Sequence, residues 1–441
     1  MTGVFYRNPQ HEYPLAVRGE GVYLYDSNGR QYLDGSGGAA ISCLGHGHRA
    51  VIAAISAQLE SMAFAHTAFF TNQAQEDLAQ ILAKQFGEEG ARVYFLSGGS
   101  EANETALKLS RQYWVAVGKP GKCLMISRDQ SYHGNTLGAL SVTGNLRRKE
   151  TYGPLMHDWP KIQPCYAYRH QQIGESDIEY GLRCANALEA KIIEVGAENV
   201  AAFIAETVVG ATLGAVAAVT GYFTRIREIC DEYDVLLILD EIMSGRGRTG
   251  SWFAFDHEGI KPDIVTVAKG LGGGYQPIGA AICRGHLHDS IVEACGSFEH
   301  GHTFVGHATA CAAGVAVANI IDDQDLLLNV GEKGASLKSA LQESLGEHPN
   351  VGDIRGRGLL LGIELVADRA SKKPISAKLG LAARIKSKAM ANGLICYPGG
   401  GTANGIDGAH VLLAPPFIYE DQHVDELVNK LKRTLTEISY T

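Results

Sequence analysis

The segment Thr266-Val267-Ala268-Lys269-Gly270-Leu271-Gly272-Gly273-Gly274 ends an apolar run with a lysine and follows it with glycines. Most lysines are solvated surface charges. One kept neutral by burial or by a nearby cation is instead a nucleophile toward an aldehyde. Three more clusters bear on that chemistry. Ser97-Gly98-Gly99-Ser100-Glu101-Ala102-Asn103-Glu104 offers glycines, helix-start N–H groups and the Ser100 hydroxyl, which are the parts of a phosphate cradle. A plain tight turn capped by Ser100 would read the same way. Tyr132-His133-Gly134 brings a flat ring that can stack on a ligand or simply pack half-buried. Asp240-Glu241-Ile242-Met243 sets a carboxylate directly after Val235–Leu239, where acidic residues bind ligands, cap helices or hold Mg²⁺.

Taken jointly, the clusters are more specific than any one of them. Lys269 stands 29 residues beyond Asp240, room for one crossover before the next strand, so both can reach one crevice. A lysine for an aldehyde, an acid for a ring nitrogen, a phosphate cradle and a flat side chain are what pyridoxal phosphate requires.

The elements that must position these residues follow from hydrophobic period. Between about residues 91 and 285, β-rich runs alternate with helical segments, the pattern of a parallel sheet wrapped by helices. The expected strands are Val93–Leu96, Cys123–Ser127, Val200–Ala205, Val235–Leu239, Ile264–Val267 and Ile278–Ile282. Ala102, Ala106, Leu109, Tyr113 and Val117 recur at helical steps and predict one apolar face. Tyr23 and Tyr25, then Asp26-Ser27-Asn28-Gly29, then Tyr32 and Leu33 predict a hairpin. After about Asp325 the chain reads as an α+β unit with helices near 333–346, 376–391 and 420–436. Both chain ends are expected to build one smaller domain.

With 441 residues, 45% hydrophobic and 20% charged, the chain is long enough for two domains and ordinary in composition. A net charge of −9 without a basic stripe argues against a nucleic-acid partner. The apolar run from Val208 to Val219 is far short of the roughly 20 residues a membrane span needs. The first residues show no basic start followed by an apolar stretch, and nine cysteines lack any Cys-x-x-Cys pair. Both observations point to reduced thiols and a cytoplasmic location.

With these residues in hand, the chain resembles the class III aminotransferases, a branch of the fold type I pyridoxal-phosphate enzymes. The resemblance runs through Leu44-Gly45-His46-Gly47-His48, SGGSEANETALKLSR, YHG, DEIMSGRGRTG, PDIVTVAKGLGGGYQPIGA, GHTFVGH, RGRGLLLGIEL and APPF. It implies an α/β architecture with a large cofactor-binding domain over residues 61–324, its sheet mostly parallel. A smaller α+β domain would come from residues 1–60 and 325–441. Lys269 would hold the cofactor as a Schiff base and shuttle protons, Asp240 would pair with the pyridine nitrogen, and Tyr132 and Ile242 would cover the two ring faces. Gly99 and Ser100 would hold the phosphate, with His133 and Met243 also at cofactor-binding positions. Glu206 matches the acid that closes the pocket. Thr303 matches a threonine that reaches the neighbouring subunit's phosphate, which implies a homodimer with shared sites, alone or doubled into a tetramer.

Three positions depart from the family pattern. Leu412 stands where many relatives place an arginine for the substrate carboxylate. Met243 replaces a glutamine that hydrogen-bonds the cofactor's phenolic oxygen, which a thioether cannot do. Ala39-Ala40 occupies a place that is often aromatic, leaving space for a bulkier donor. The resemblance implies transfer from an ω-amino acid, diamine or other primary amine to a 2-oxo acid such as pyruvate or 2-oxoglutarate. A lyase, decarboxylating transaminase or aminomutase would share the scaffold. Arg246 and Arg248 are candidates for a carboxylate, though structural roles fit them better. The pairs His46/His48, His286/His288 and His300/His302 lack a third metal ligand at fixed spacing and read as loop and interface residues.

Overall fold

The computed structural model describes residues 3–440. Its centre is a seven-stranded sheet ordered Arg92–Leu96, Gly279–Cys283, Ile264–Val267, Leu236–Asp240, Val200–Glu206, Leu124–Arg128 and Lys161–Ile162. All neighbours pair in parallel except Gly279–Cys283, which runs antiparallel to both of its partners. The expected strands fall within a residue of those observed. Leu236–Asp240 and Val200–Glu206 are buried along their whole length, because helices cover both faces of a parallel sheet.

The helix Gly99–Ala116 follows the first strand, as expected. Its expected face is only partly the real one: Ala102, Ala106 and Leu109 are buried, whereas Tyr113 is half-buried and Val117 exposed at the C-cap. The buried stripe runs instead to Trp114, whose indole N–H donates to the Ala201 carbonyl at 2.8 Å. The indole has both the larger apolar surface and a partner inside.

Tyr23–Asp26 and Gln31–Asp34 form the expected hairpin. Leu394–Ile395 adds to it in parallel, so the two ends of the chain share one sheet. A second sheet, Val351–Arg357, Leu360–Asp368, Ala409–Leu413 and Tyr397–Gly400, lies near it in the C-terminal part, with Lys373–Pro374 at one side. One apolar core joins Val22, Leu33 and Leu44 to Leu337, Leu361 and Leu427. The last helix, Asp421–Thr436, buries Val424, Leu427, Val428, Leu431 and Leu435 at steps of three and four. Each such side chain contributes about 2 kcal/mol. The apolar run near residue 208 is a small ladder, Val208–Val209 with Val216–Ala217. No helix among the described residues is long and apolar enough to cross a membrane.

Candidate active site

Strand register makes the site. Asp240 pairs laterally with Glu206 on one side and Thr266 on the other, so three parallel strands bring polar side chains into line near one edge. Just beyond Thr266 the chain breaks from the sheet. Lys269 takes φ of +45°, a left-handed conformation that costs about 1 kcal/mol in a non-glycine residue and marks an over-determined position. A cleft of about 730 Å³ opens there. It brings together Lys269, Asp240, Glu206, Gly99, Ser100, Tyr132, His133, Ile242 and Met243, nine of the ten site residues named from sequence. Thr303 is exposed and lies outside this cleft of its own chain.

The Asp240 carboxylate is tightly held. Its Oδ2 accepts from the Asn103 amide at 2.7 Å and lies 2.8 Å from His133 Nδ1, while Oδ1 accepts the Ile242 N–H at 3.0 Å. Asn103 also donates to the His133 carbonyl and accepts from the Thr266 hydroxyl at 2.7 Å. The His133 N–H donates to Thr143 Oγ1 at 2.9 Å. His133 is thereby fixed as the Nδ1–H tautomer, by the network around it. Its Nε2 is buried without a partner among the described residues.

Glu206 is pinned by backbone: Tyr132 N–H and Gly210 N–H each donate to it at 3.0 Å. Burial raises its carboxyl above the usual range, against the pull of His133 and these N–H groups and with the help of Asp240. Burial lowers the Lys269 amine below the 10.5 of a free lysine, Asp240 and Glu206 opposing this and Arg248 and Arg148 adding to it. The structure therefore places a less basic amine among carboxylates that are already engaged.

At the other wall, the helix Gly99–Ala116 starts at the cleft with no side-chain cap on its N-cap residue Gly98. A Cβ at Gly98 would meet nothing within 4 Å, so there is room for an anion against the free N–H groups. Gly134, at φ +140°, lets the Tyr132 turn lie against Ser100. The Ser100 hydroxyl accepts from the Asn135 N–H at 3.0 Å. Ile242 packs beside Gly99, and Met243 packs on Gly210.

Glu241 faces away from the cleft. Its carboxylate accepts from the Thr207 hydroxyl and from the N–H groups of Ala254 and Phe255, a buried backbone clamp. No group of three or more His, Cys, Asp and Glu side chains among the described residues is placed to hold a metal ion. The histidine pairs serve locally: His46 Nε2 is 3.0 Å from Asp34, and His300 Nε2 is 2.8 Å from Thr105 Oγ1. Leu412 is buried in a cluster with Ala40, Met243 and Leu360. Ala39 lines the cleft. Arg246 and Arg248 are buried too, bonded to Gln85 and to the carbonyls of Leu359 and Pro415 and lying over Trp252 and Phe417.

Asn103, inside the SGGSEAN stretch, is the functional residue that the sequence reading leaves without a role. The signal was present, since an Asn among Ala102 and Ala106 on a buried helix face needs polar partners. Gln276, from the end of the lysine motif, also lines the cleft, as do Arg7, Arg148 and Tyr397, which no local pattern marks.

Residues 5–435 match the aminotransferase class-III family. An uncharacterized aminotransferase of Schizosaccharomyces pombe is 45% identical over 98% of this chain and 95% of its own. The diaminobutyrate–2-oxoglutarate transaminase of Halomonas elongata is 34% identical over 96% of this chain and 90% of its own. The crystal structure of an (S)-enantioselective omega-transaminase from Thermomicrobium roseum, 35% identical, superposes with a TM-score of 0.91 over 98% of this chain and 96% of its own. By the family match over residues 5–435 and the sequence and fold shared with these relatives, the chain belongs to the class III aminotransferases of fold type I, enzymes that move an amino group from an amine to a 2-oxo acid.

Proposed function

We propose that the chain binds pyridoxal phosphate at Lys269 and transfers the amino group of an ω-amino acid, diamine or other primary amine to pyruvate or 2-oxoglutarate. The observation that carries this reading is the convergence of Lys269, the engaged Asp240 and the uncapped helix start at Gly98 on one cleft. The names of the diaminobutyrate and omega-transaminase relatives support the donor class.

The residues present fit the cofactor. The less basic amine of Lys269 suits attack on an aldehyde. Asp240, oriented by Asn103 and His133, suits a protonated ring nitrogen. The N–H groups of Gly99 and Ser100 would hold the phosphate, and Tyr132 and Ile242 would bracket the ring. When bound, pyridoxal phosphate supplies the aldehyde that takes up the amine and a ring that accepts the electrons left when the donor's Cα–H bond breaks. With the cofactor bound, Lys269 Nζ would be the group that takes the proton from that Cα and gives it back. The Asp240 charge would favour a proton on the ring nitrogen. Glu206 closes the pocket beside Tyr132.

Assembly as a homodimer is supported by an exposed aromatic patch next to Thr303. Phe304 is 54% exposed with Phe64 5.7 Å away, and His66 links Phe64 to Phe69, which is 81% exposed, the kind of exposed apolar surface that marks a contact with another chain. Thr303 would then serve the partner's site. Nine free cysteines support a reducing, cytoplasmic setting.

The test mixes purified holoenzyme with single amine donors, without acceptor, and follows the visible spectrum while assaying ammonia. Conversion to the pyridoxamine phosphate spectrum without ammonia is expected. Ammonia release with the original spectrum restored after each turnover would make the chain a lyase on this scaffold.

A further inference from the structure

The cleft holds two arginines, Arg7 and Arg148, besides Lys269. Neither guanidinium pairs with a carboxylate among the described residues. Arg148 follows the Asn145 cap of a short helical turn, and its guanidinium lies over the Tyr132 ring, 4.5 Å from the centroid. Stacking uses the face of a guanidinium and leaves its N–H edge free, the geometry that receives a carboxylate in two parallel hydrogen bonds. Burial raises the Tyr132 phenol, and Arg148 and Arg7 both act in the opposite direction, so both cations stand near that ring.

The balance of unengaged charge is positive. Glu206 is occupied by two backbone N–H groups, and Asp240 by Asn103, His133 and Ile242. Other routes to a carboxylate site are closed, because Leu412 is buried in an apolar cluster and Arg246 and Arg248 are committed inside the protein. A second ammonium group on the donor would meet cations here, whereas a carboxylate at the donor's far end would meet free donors.

We propose that Arg148, assisted by Arg7, is a carboxylate subsite of the cleft, and that the preferred donor is an ω-amino carboxylate rather than a diamine or an uncharged amine. The inference narrows the donor class and rests on the aminotransferase reading given above.

Two measurements on the holoenzyme test it. Pentanoate, which carries the carboxylate but no amine, is titrated calorimetrically into wild type, Arg148→Ala, Arg148→Lys and Arg7→Ala. Arg148→Ala weakens its binding about tenfold or more, Arg148→Lys recovers part of the loss, and Arg7→Ala loses less. Half-reaction rates are then compared for 5-aminopentanoate, pentylamine and 1,5-diaminopentane. In Arg148→Ala, kcat/KM for 5-aminopentanoate falls about tenfold more than for pentylamine, mainly through KM, and the diamine gains relative to both. A merely structural Arg148 would lower all three together. Pentanoate binding unchanged in Arg148→Ala, or equal losses for the three donors, overturns the subsite while leaving the aminotransferase reading intact. Arg148-dependent pentanoate binding with no half-reaction from any amine keeps the subsite and overturns the aminotransferase reading.

Discussion

His133 Nδ1 lies 2.8 Å from Asp240 Oδ2 in a place where both side chains are almost wholly buried. The pair is not free-standing, since Asn103 donates to the same carboxylate oxygen and accepts from Thr266. Four residues from two strands, one helix and one turn thus fix the direction in which the Asp240 charge acts on the cleft.

Removing the hub of that network has a cost in stability. Asn103→Ala leaves the Thr266 hydroxyl without its partner and Asp240 Oδ2 with His133 alone, and is expected to destabilise the fold by roughly 2 kcal/mol. Urea unfolding measures this directly. A change below about 0.5 kcal/mol would mean that water replaces the amide.

Lys269 is the residue on which the chemistry turns. Lys269→Ala should lose the visible absorption of the lysine-linked cofactor and lower transamination by more than about 10³-fold. In wild-type apoprotein, the rate of cofactor capture should rise with pH and level off below 10.5, because burial favours the neutral, nucleophilic amine. A retained absorption band in Lys269→Ala would falsify its assignment.

Gly134 sets the spacing between the Tyr132 turn and the helix start. A Cβ there would sit 2.7 Å from Ser100 Oγ and 2.8 Å from Ser100 Cα, at a φ of +140° that side chains rarely adopt. Gly134→Ala is expected to cost roughly 2 kcal/mol of thermal stability and about tenfold in cofactor affinity. Gly98→Ala, whose Cβ meets nothing, should stay within about 0.5 kcal/mol of wild type in stability. Thermal unfolding and equilibrium dialysis of the two variants separate strain from contact.

Glu241 ties stability to pH. Burial raises its carboxyl from 4.5 to about 7, against the donors on Ala254, Thr207 and Phe255 and with Asp256 adding. The folded state therefore binds a proton that the unfolded chain releases. Its stabilising contribution is full below pH 4.5 and is lost as pH rises through about 7. Against Glu241→Gln, which does not titrate, wild-type stability should decline by roughly 3 kcal/mol across that window. Parallel stability curves for the two proteins would reject the raised value.

Several features were written into single stretches of chain. The runs near Ile204 and Ile238 are short, continuous and apolar, the form of a strand buried on both faces, so the alternating α/β order could be read directly. Lys269, Asp240, the Ser97–Ser100 turn and Tyr132 each sit where a strand ends, and parallel strands end at one edge, so their convergence followed from order alone. Tertiary structure decided the rest. Register set Glu206 and Thr266 beside Asp240, and a one-residue slip would have turned them to the other face. Trp114 rather than Tyr113 closed its helix because the Ala201 carbonyl was there to meet it. Arg7, Arg148 and Tyr397 reach the cleft from segments far apart in the chain. Local period and composition report what a segment can bury, but not which distant polar group will face it, and that is settled only when the elements pack.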